Sequence, residues 1–329
     1  MEFDESLDKK GMKAILLDFP NQFAKGLEVG NALVVAAKPR KVFFAGMGGS
    51  ALPGDIAVAC FPAASMSVHK DYGLPNGISK QDLLIAVSYS GNTEETIDCA
   101  QQALELGCPI VAVASGGKLK EFAERNGIPF AAVPKGIQPR IALGYQFAAC
   151  AKALEAAGIS GVSNKVLEVA LFIEKEKPAV ESLAQQCAAA SFDKIPVLYC
   201  STELWPAARI AKIAFNENGK VPSFWNVFPE SNHNELVGFT RFAEKFHFFF
   251  LHSTDDHPRV KKRMQITRAL MQEKGATVTD LELKGSNSMQ RIFYSVLLFM
   301  LAGYYTALAY GQDPFPVQMV ENLKSALDK

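Results

Sequence analysis

The chain has 329 residues, long for one domain and ample for two of ordinary size. Hydrophobic residues make up 49% and charged residues 21%, which fits a packed protein and excludes a chain disordered for want of apolar surface. Lysine plus arginine and aspartate plus glutamate each total 34, so no broad basic surface is expected and nucleic acid is excluded as a partner.

In chain order, the N-terminus MEFDESLDKK is charged and carries no apolar signal core. KVFFAGMGGS (41–50), LLIAVSYSGNT (83–93), PIVAVASGG (109–117) and FAAVPKG (130–136) are short apolar runs ending in glycine or hydroxyl residues, and they predict strands. ALPGDIAVACF, EETIDCAQQALELG and KLKEFAERNG lie between them as helical stretches. Such alternation predicts βαβ units and a parallel sheet. Ligands of such sheets sit at the carboxyl ends of the strands, where the Gly-rich and Ser-rich stretches fall. A helical section follows over 141–190, broken only by GISG at 158–161.

The alternation then resumes. IPVLYCS (195–201) predicts a strand, WPAARIAKIAFNENG (205–219) a helix and FHFFFLHS (246–253) a strand. PRVKKRMQITRALMQEKG (258–275) predicts a helix, with Lys261–Lys262–Arg263 on its solvated face, and ATVTDLEL (276–283) a strand. IFYSVLLFMLAGYYTALAY (292–310) is close to the length of a membrane span, but its Tyr, Ser and Thr residues predict a buried core helix and no membrane association. A last helix is predicted over 317–328. The fold class is α/β in two halves: an N-terminal domain over 1–155, connecting helices over 156–190 and a C-terminal domain over 191–329.

The six cysteines are Cys60, Cys99, Cys108, Cys150, Cys187 and Cys200. No two form a CxxC, and none stands at metal-ligand spacing to a histidine. Their mostly apolar surroundings read as buried reduced thiols of a cytoplasmic protein.

Two loops invite an anion. Gly46–Ser50, GMGGS, follows a strand and precedes a helix, yet it is neither GxGxxG nor GxxxxGK[ST]; alone it fits a tight turn as well as a ligand loop. SYSGNTEET (88–96) says more. Thr93 or Asn92 can cap the following helix, which is the structural reading. A cap needs one hydroxyl, whereas Ser88, Ser90 and Thr93 all crowd one strand end beside outward-pointing helix amides. Such a cluster suits a phosphate held by hydroxyls and amide dipoles. Gly48, Gly49, Ser50, Ser88, Ser90 and Thr93 are the candidate binding residues.

GMGGS followed by SYSGNTEE resembles the sugar isomerase (SIS) domain, which binds phosphosugars. FNENGKVPSFWNVFPESNHNELVGF (215–239) is similar to the signature segment of the bifunctional phosphoglucose/phosphomannose isomerases. QPRIALGY (138–145) and DPFPVQMVENLKSAL (313–327) match that family too. SIS loops alone are not specific; the NHNE segment is. The resemblance covers nearly the whole chain. It implies two SIS-type subdomains, each a parallel sheet flanked by helices, plus a C-terminal helix.

The implied activity is an aldose–ketose isomerisation between glucose 6-phosphate and fructose 6-phosphate, with mannose 6-phosphate as a further substrate. Such an enzyme opens a sugar ring, moves a proton between C1 and C2, and stabilises an enediol(ate). A metal is one route, but no ligand cluster is legible, so proton transfer by side chains without metal or cofactor is expected. Glu217 would be an exposed carboxylate on its residues alone; the resemblance makes it the base. His233, in Ser-Asn-His-Asn-Glu, could be a structural histidine. The resemblance assigns it ring opening, delivered from the partner subunit of a homodimer whose active site lies at the subunit interface. An imidazole titrates near neutrality and suits that task.

Arg140, after a stiff Gln-Pro, stands where it can steady an enediolate, and the family agrees. Lys324 reads as a solvated helix residue, and by resemblance assists ring opening. Asn234 and Glu235 are expected to order the histidine loop. His69, His247, His252 and His257 read as structural or surface residues. Phe315 is a departure: family members often carry a small hydroxyl residue near the Asp-Pro-x-Pro segment, linked there with mannose-phosphate activity. A non-catalytic phosphosugar-binding SIS protein and an amino-sugar phosphate isomerase are the alternative functions.

Overall fold

The computed structural model describes residues 1–327. The chain divides into two compact units, Asp18–Lys175 and Met1–Leu17 with Glu176–Lys329. Helix α1 (Met12–Leu17) comes first. The unit Asp18–Lys175 then runs α2 (Phe19–Gly30), β1 (Val42–Ala45), α3 (Leu52–Cys60), β2 (Met66–His69), β3 (Leu83–Val87), α4 (Glu94–Leu106), β4 (Ile110–Ala114), α5 (Gly117–Arg125), β5 (Phe130–Ala132) and α6 (Leu143–Ala156). Helix α7 (Val162–Ala190) contains the unit boundary. The other unit continues with β6 (Ile195–Ser201), α8 (Trp205–Glu217), β7 (Phe224–Phe228), α9 (Ser231–Asn234), β8 (Phe246–His252), α10 (Pro258–Glu273), β9 (Thr277–Glu282), α11 (Ser288–Ala309) and α12 (Gln318–Leu327).

Both sheets are parallel, in an α/β fold as expected. The first has the order β2-β1-β3-β4-β5. Strands β1, β3 and β4 read VFFA, LLIAV and IVAVA and are buried throughout, because a central parallel strand has helices over both faces. β2 is not among the predicted strands. Its sequence MSVH has no apolar run and is half-buried, and pairing with β1, from Val42↔Met66 to Ala45↔His69, makes it an edge strand. Strand order reverses between β1 and β3, so the crevice for a ligand opens at their carboxyl ends.

Helix α4 covers this sheet with Thr96, Cys99, Ala100 and Ala103, spaced on one helical face. It ends at Gly107, whose φ of 76° is the left-handed conformation that stops a helix.

The second sheet has the order β7-β6-β8-β9. Its core is aromatic, with Tyr199, Phe228, Phe248 and Phe250 in mutual ring contact. β7, FWNVF, is also outside the predicted strands, since Asn226 interrupts its apolar run. Helix α11 is apolar enough by length and composition to cross a membrane, yet 94% of its most apolar window is buried inside the protein. It packs on α8 as the core helix that was expected.

The first 17 residues, expected in the N-terminal domain, belong with the second unit. Met12 and Leu16 are fully buried as α1 packs against α11, a burial that stabilises by about 1.5–3 kcal/mol per side chain. Lys13 Nζ seals the contact, 2.8 Å from Glu181 and 2.7 Å from Glu5.

Candidate active site

The loop after β3 is built around Ser88. This side chain is fully buried, and its Oγ accepts from the amides of Gly91 (3.1 Å) and Thr93 (3.4 Å). The same Oγ lies 2.8 Å from Thr93 Oγ1. Thr93 holds the N-cap position of α4 with extended backbone, but its side chain does not cap the helix. Its hydroxyl is turned to Ser88 instead, so the capping role weighed for Thr93 is not the one it plays. Ser90 is exposed, and its Oγ accepts from Asn92 N at 3.2 Å.

The loop after β1 joins this cluster. Ser50 is buried, and the amide of Tyr89 donates to its Oγ at 2.9 Å, tying Gly48–Ser50 to Ser88–Thr93. Gly49 sits against the backbone of Pro139 and Arg140. Arg140 lies in a short turn, Pro139–Ile141, and is 1% exposed. Two buried amides hold that turn. Gln146 Nε2 donates to Pro139 O and Gln22 Nε2 to Ile141 O, each at 2.9 Å. Gly48, Gly49, Ser50, Ser88, Ser90, Thr93 and Arg140 therefore belong to one local structure in the unit Asp18–Lys175.

Gln22 and Gln146 escaped sequence reasoning. A glutamine in a helix gives no signal until the fold buries it against a turn that needs donors. Tyr89 is similar: its hydroxyl donates to Pro134 O at 2.8 Å and accepts from Ile137 N at 3.3 Å, steadying the approach to Arg140.

The other candidates stand on three elements of the second unit. Glu217 is the last residue of α8 and is half-buried, between fully buried Phe215 and Asn218. Asn218 Nδ2 donates to Met300 O at 3.1 Å and fixes that helix end to α11. His233 is on α9, beyond the carboxyl end of β7, and is exposed. Its loop is anchored on both sides. Glu235 accepts from Asn226 Nδ2 on β7, while Asn232 donates to Thr267 Oγ1 on α10 at 2.8 Å. Asn234 Nδ2 donates to Glu230 at 2.6 Å. Lys324 lies on α12, is exposed, and has Glu321 Oε1 at 3.4 Å.

The remaining histidines have structural settings. His247 is buried between Thr277 and Thr279, with both ring nitrogens 2.9 Å from a threonine hydroxyl. Burial lowers its pKa to about 4. His252 lies 2.6 Å from Asp280, His69 3.1 Å from Gly73 O, and His257 caps α10. Burial pushes the Cys108 thiol up to about 11 and Cys60, Cys99 and Cys187 up to about 12, which makes them poor nucleophiles. Among the described residues no group of three His, Cys, Asp or Glu side chains is placed to hold a metal ion.

Residues 37–126 match the SIS domain model, and residues 180–327 the model of the bacterial phospho-glucose isomerase C-terminal SIS domain. A bifunctional phosphoglucose/phosphomannose isomerase of Caldicellulosiruptor bescii is 36% identical over 94% of this chain and 97% of its own. A D-glucosamine-6-phosphate 4-epimerase of Sulfolobus acidocaldarius is 33% identical over 60% of this chain and 63% of its own. The crystal structure of tagatose-6-phosphate ketose/aldose isomerase from Escherichia coli shares the fold, with a TM-score of 0.73 over 95% of this chain and 96% of that one at 15% identity. Two SIS-family domains and 36% identity over nearly the full length of both chains lead to one conclusion: the chain belongs to the bifunctional phosphoglucose/phosphomannose isomerase family.

Proposed function

We propose that the protein interconverts glucose 6-phosphate and fructose 6-phosphate, and mannose 6-phosphate as well, by proton transfer through a cis-enediol(ate) without a metal. The observation that carries the reading is the joined loop cluster at the carboxyl ends of β1 and β3. Ser90 and Thr93 supply hydroxyls there, and buried Ser50 and Ser88 hold the two loops in shape. The uncapped start of α4 supplies amides and a positive dipole end for a phosphate. Gly48 and Gly49 let the backbone approach the anion. Arg140, held in the same structure, steadies negative charge developing on the sugar oxygens.

Glu217 is the base. It takes the proton from C2 of the aldose and returns it to C1, and the enediol(ate) between these steps is common to glucose, mannose and fructose phosphates. His233 and Lys324 move protons between the ring oxygen and the anomeric hydroxyl as the ring opens. Both are exposed in a single chain, which supports a homodimer in which His233 serves the partner's site. The free, mostly buried thiols support a cytoplasmic location.

A second reading, an amino-sugar phosphate as substrate, is favoured by the Sulfolobus relative. A coupled assay in EDTA tests both. Fructose 6-phosphate and, in a separate reaction, glucosamine 6-phosphate are supplied, and with the former glucose 6-phosphate and mannose 6-phosphate are followed separately. The expected result is formation of both products. Turnover of glucosamine 6-phosphate alone would replace the first reading with the second. Binding without conversion would make the protein a phosphosugar-binding SIS protein.

A further inference from the structure

We infer that Lys220 is a positioning residue that ties Glu217 to the turn leading into α12, an inference that rests on the proposed role of Glu217. Lys220 Nζ donates to three backbone carbonyls: Glu217 O at 2.6 Å, Pro314 O at 3.1 Å and Pro316 O at 2.5 Å. The first is a carbonyl at the C-terminal end of α8, where a nearby cation is favourable to the helix dipole. The other two flank Phe315, in a turn where Asp313 accepts from Phe315 N at 2.9 Å. One ammonium thus joins the backbone of the base to the segment carrying Phe315, just before the helix of Lys324.

The backbone of Lys220 marks it as more than a surface lysine. Its φ is +59°, a left-handed conformation that a non-glycine residue holds only where its surroundings compensate. Gly219, the natural occupant of such a conformation, is used differently. A β-carbon there would lie 2.8 Å from Phe215 O and 3.3 Å from Thr306, so residue 219 is small to let α8 close on α11. Lys220 therefore takes the strained turn, and the three carbonyl contacts offset it. Asn218 fixes the same helix end to α11, which leaves the link to Pro314–Pro316 as what Lys220 adds.

A base must meet its proton within hydrogen-bond reach, and a misplacement of about 1 Å can cost about 10²-fold in rate. Holding the Glu217 carbonyl fixes where its side chain begins. Holding Pro314 and Pro316 fixes the backbone on both sides of Phe315 and the entry to α12. The test compares wild-type protein with Lys220→Met, Lys220→Gly and Lys220→Arg. It reads kcat and KM for fructose 6-phosphate, the ratio of the two aldose products, and thermal unfolding.

Lys220→Met should lower kcat by about 10–10²-fold with KM within about twofold, and should alter the product ratio. Lys220→Gly removes the ammonium and the backbone strain together, so it should stay folded and show the same kinetic loss; it carries the test if Lys220→Met does not fold. Lys220→Arg should recover part of kcat. Methionine and glycine variants at wild-type kcat and product ratio overturn the inference alone. So does a loss of kcat that tracks a fall in unfolding temperature and is no smaller for arginine. Absence of turnover in the wild-type protein overturns the proposed function, and the inference with it.

Discussion

Gly49 lies flush against Arg140: a β-carbon at position 49 would come 2.7 Å from the Arg140 amide nitrogen and 2.9 Å from its Cα. Neither atom is the end of a flexible side chain, so the backbone itself must move. Gly49→Ala should therefore shift the turn that carries Arg140. The expected cost is about 1–3 kcal/mol in stability and about 10²-fold in kcat. Urea unfolding and steady-state kinetics measure the two, and a Gly49→Ala enzyme at wild-type kcat would remove Arg140 from the proposed mechanism.

The two loop serines should separate stability from binding. Ser88→Ala leaves the Thr93 amide and hydroxyl without their buried partner, while Gly91 N keeps Ser88 O at 2.9 Å, so it should destabilise the protein by about 1–3 kcal/mol. Ser90→Ala removes an exposed hydroxyl and should change stability by less than about 0.5 kcal/mol while raising KM. Denaturation curves and KM for fructose 6-phosphate decide. An unchanged KM for Ser90→Ala would take Ser90 out of the phosphate site.

Glu217→Gln keeps the shape of the side chain and removes its basicity. Turnover should fall by roughly 10²–10⁴-fold, with fructose 6-phosphate still bound as titration calorimetry would detect. Wild-type turnover in that variant would mean that another group is the base.

His247 should make the fold sensitive to acid. Its pKa in the folded protein is lowered to about 4 by burial, against an ordinary value of 6.5. Between these values the unfolded chain takes up a proton that the folded protein refuses. Stability should thus decline as pH falls from about 6.5 to about 4, with a slope approaching ~1.4 kcal/mol per pH unit for this group. Unfolding followed across this range for wild type and His247→Gln should show the slope flattened in the variant. Equal slopes would assign the acid sensitivity elsewhere.

Phe315→Thr replaces an aromatic ring with a small hydroxyl residue in the turn before α12. The share of mannose 6-phosphate formed from fructose 6-phosphate should rise, with total turnover held within about tenfold. A product ratio that does not move would place sugar choice outside this turn.

The two parallel sheets were legible because their central strands are short apolar runs bounded by glycine and hydroxyl residues, and the helices between them show helical periodicity. β2 and β7 were not. An edge strand such as Met66–His69 is a strand through the neighbour it pairs with, not through its own pattern. Membership of Met1–Leu17 was likewise hidden, because α1 is short and its partner, α11, lies far along the chain.

The candidate site divides along the same line. Local sequence determined that a hydroxyl-rich loop stands at a strand's carboxyl end, whereas the roles proposed for Glu217 and His233 come from the family resemblance, since their residue types alone fit an exposed carboxylate and a structural histidine equally well. Only tertiary structure decided that Thr93 turns to Ser88 rather than capping α4, that Gly49 is small because Arg140 is behind it, and that Gln22 and Gln146 hold the arginine's turn. The same holds for Lys220, which reaches carbonyls almost a hundred residues away. Hydrogen bonds between distant segments form wherever packing brings a donor to an acceptor, and no short-range pattern in a chain encodes that meeting.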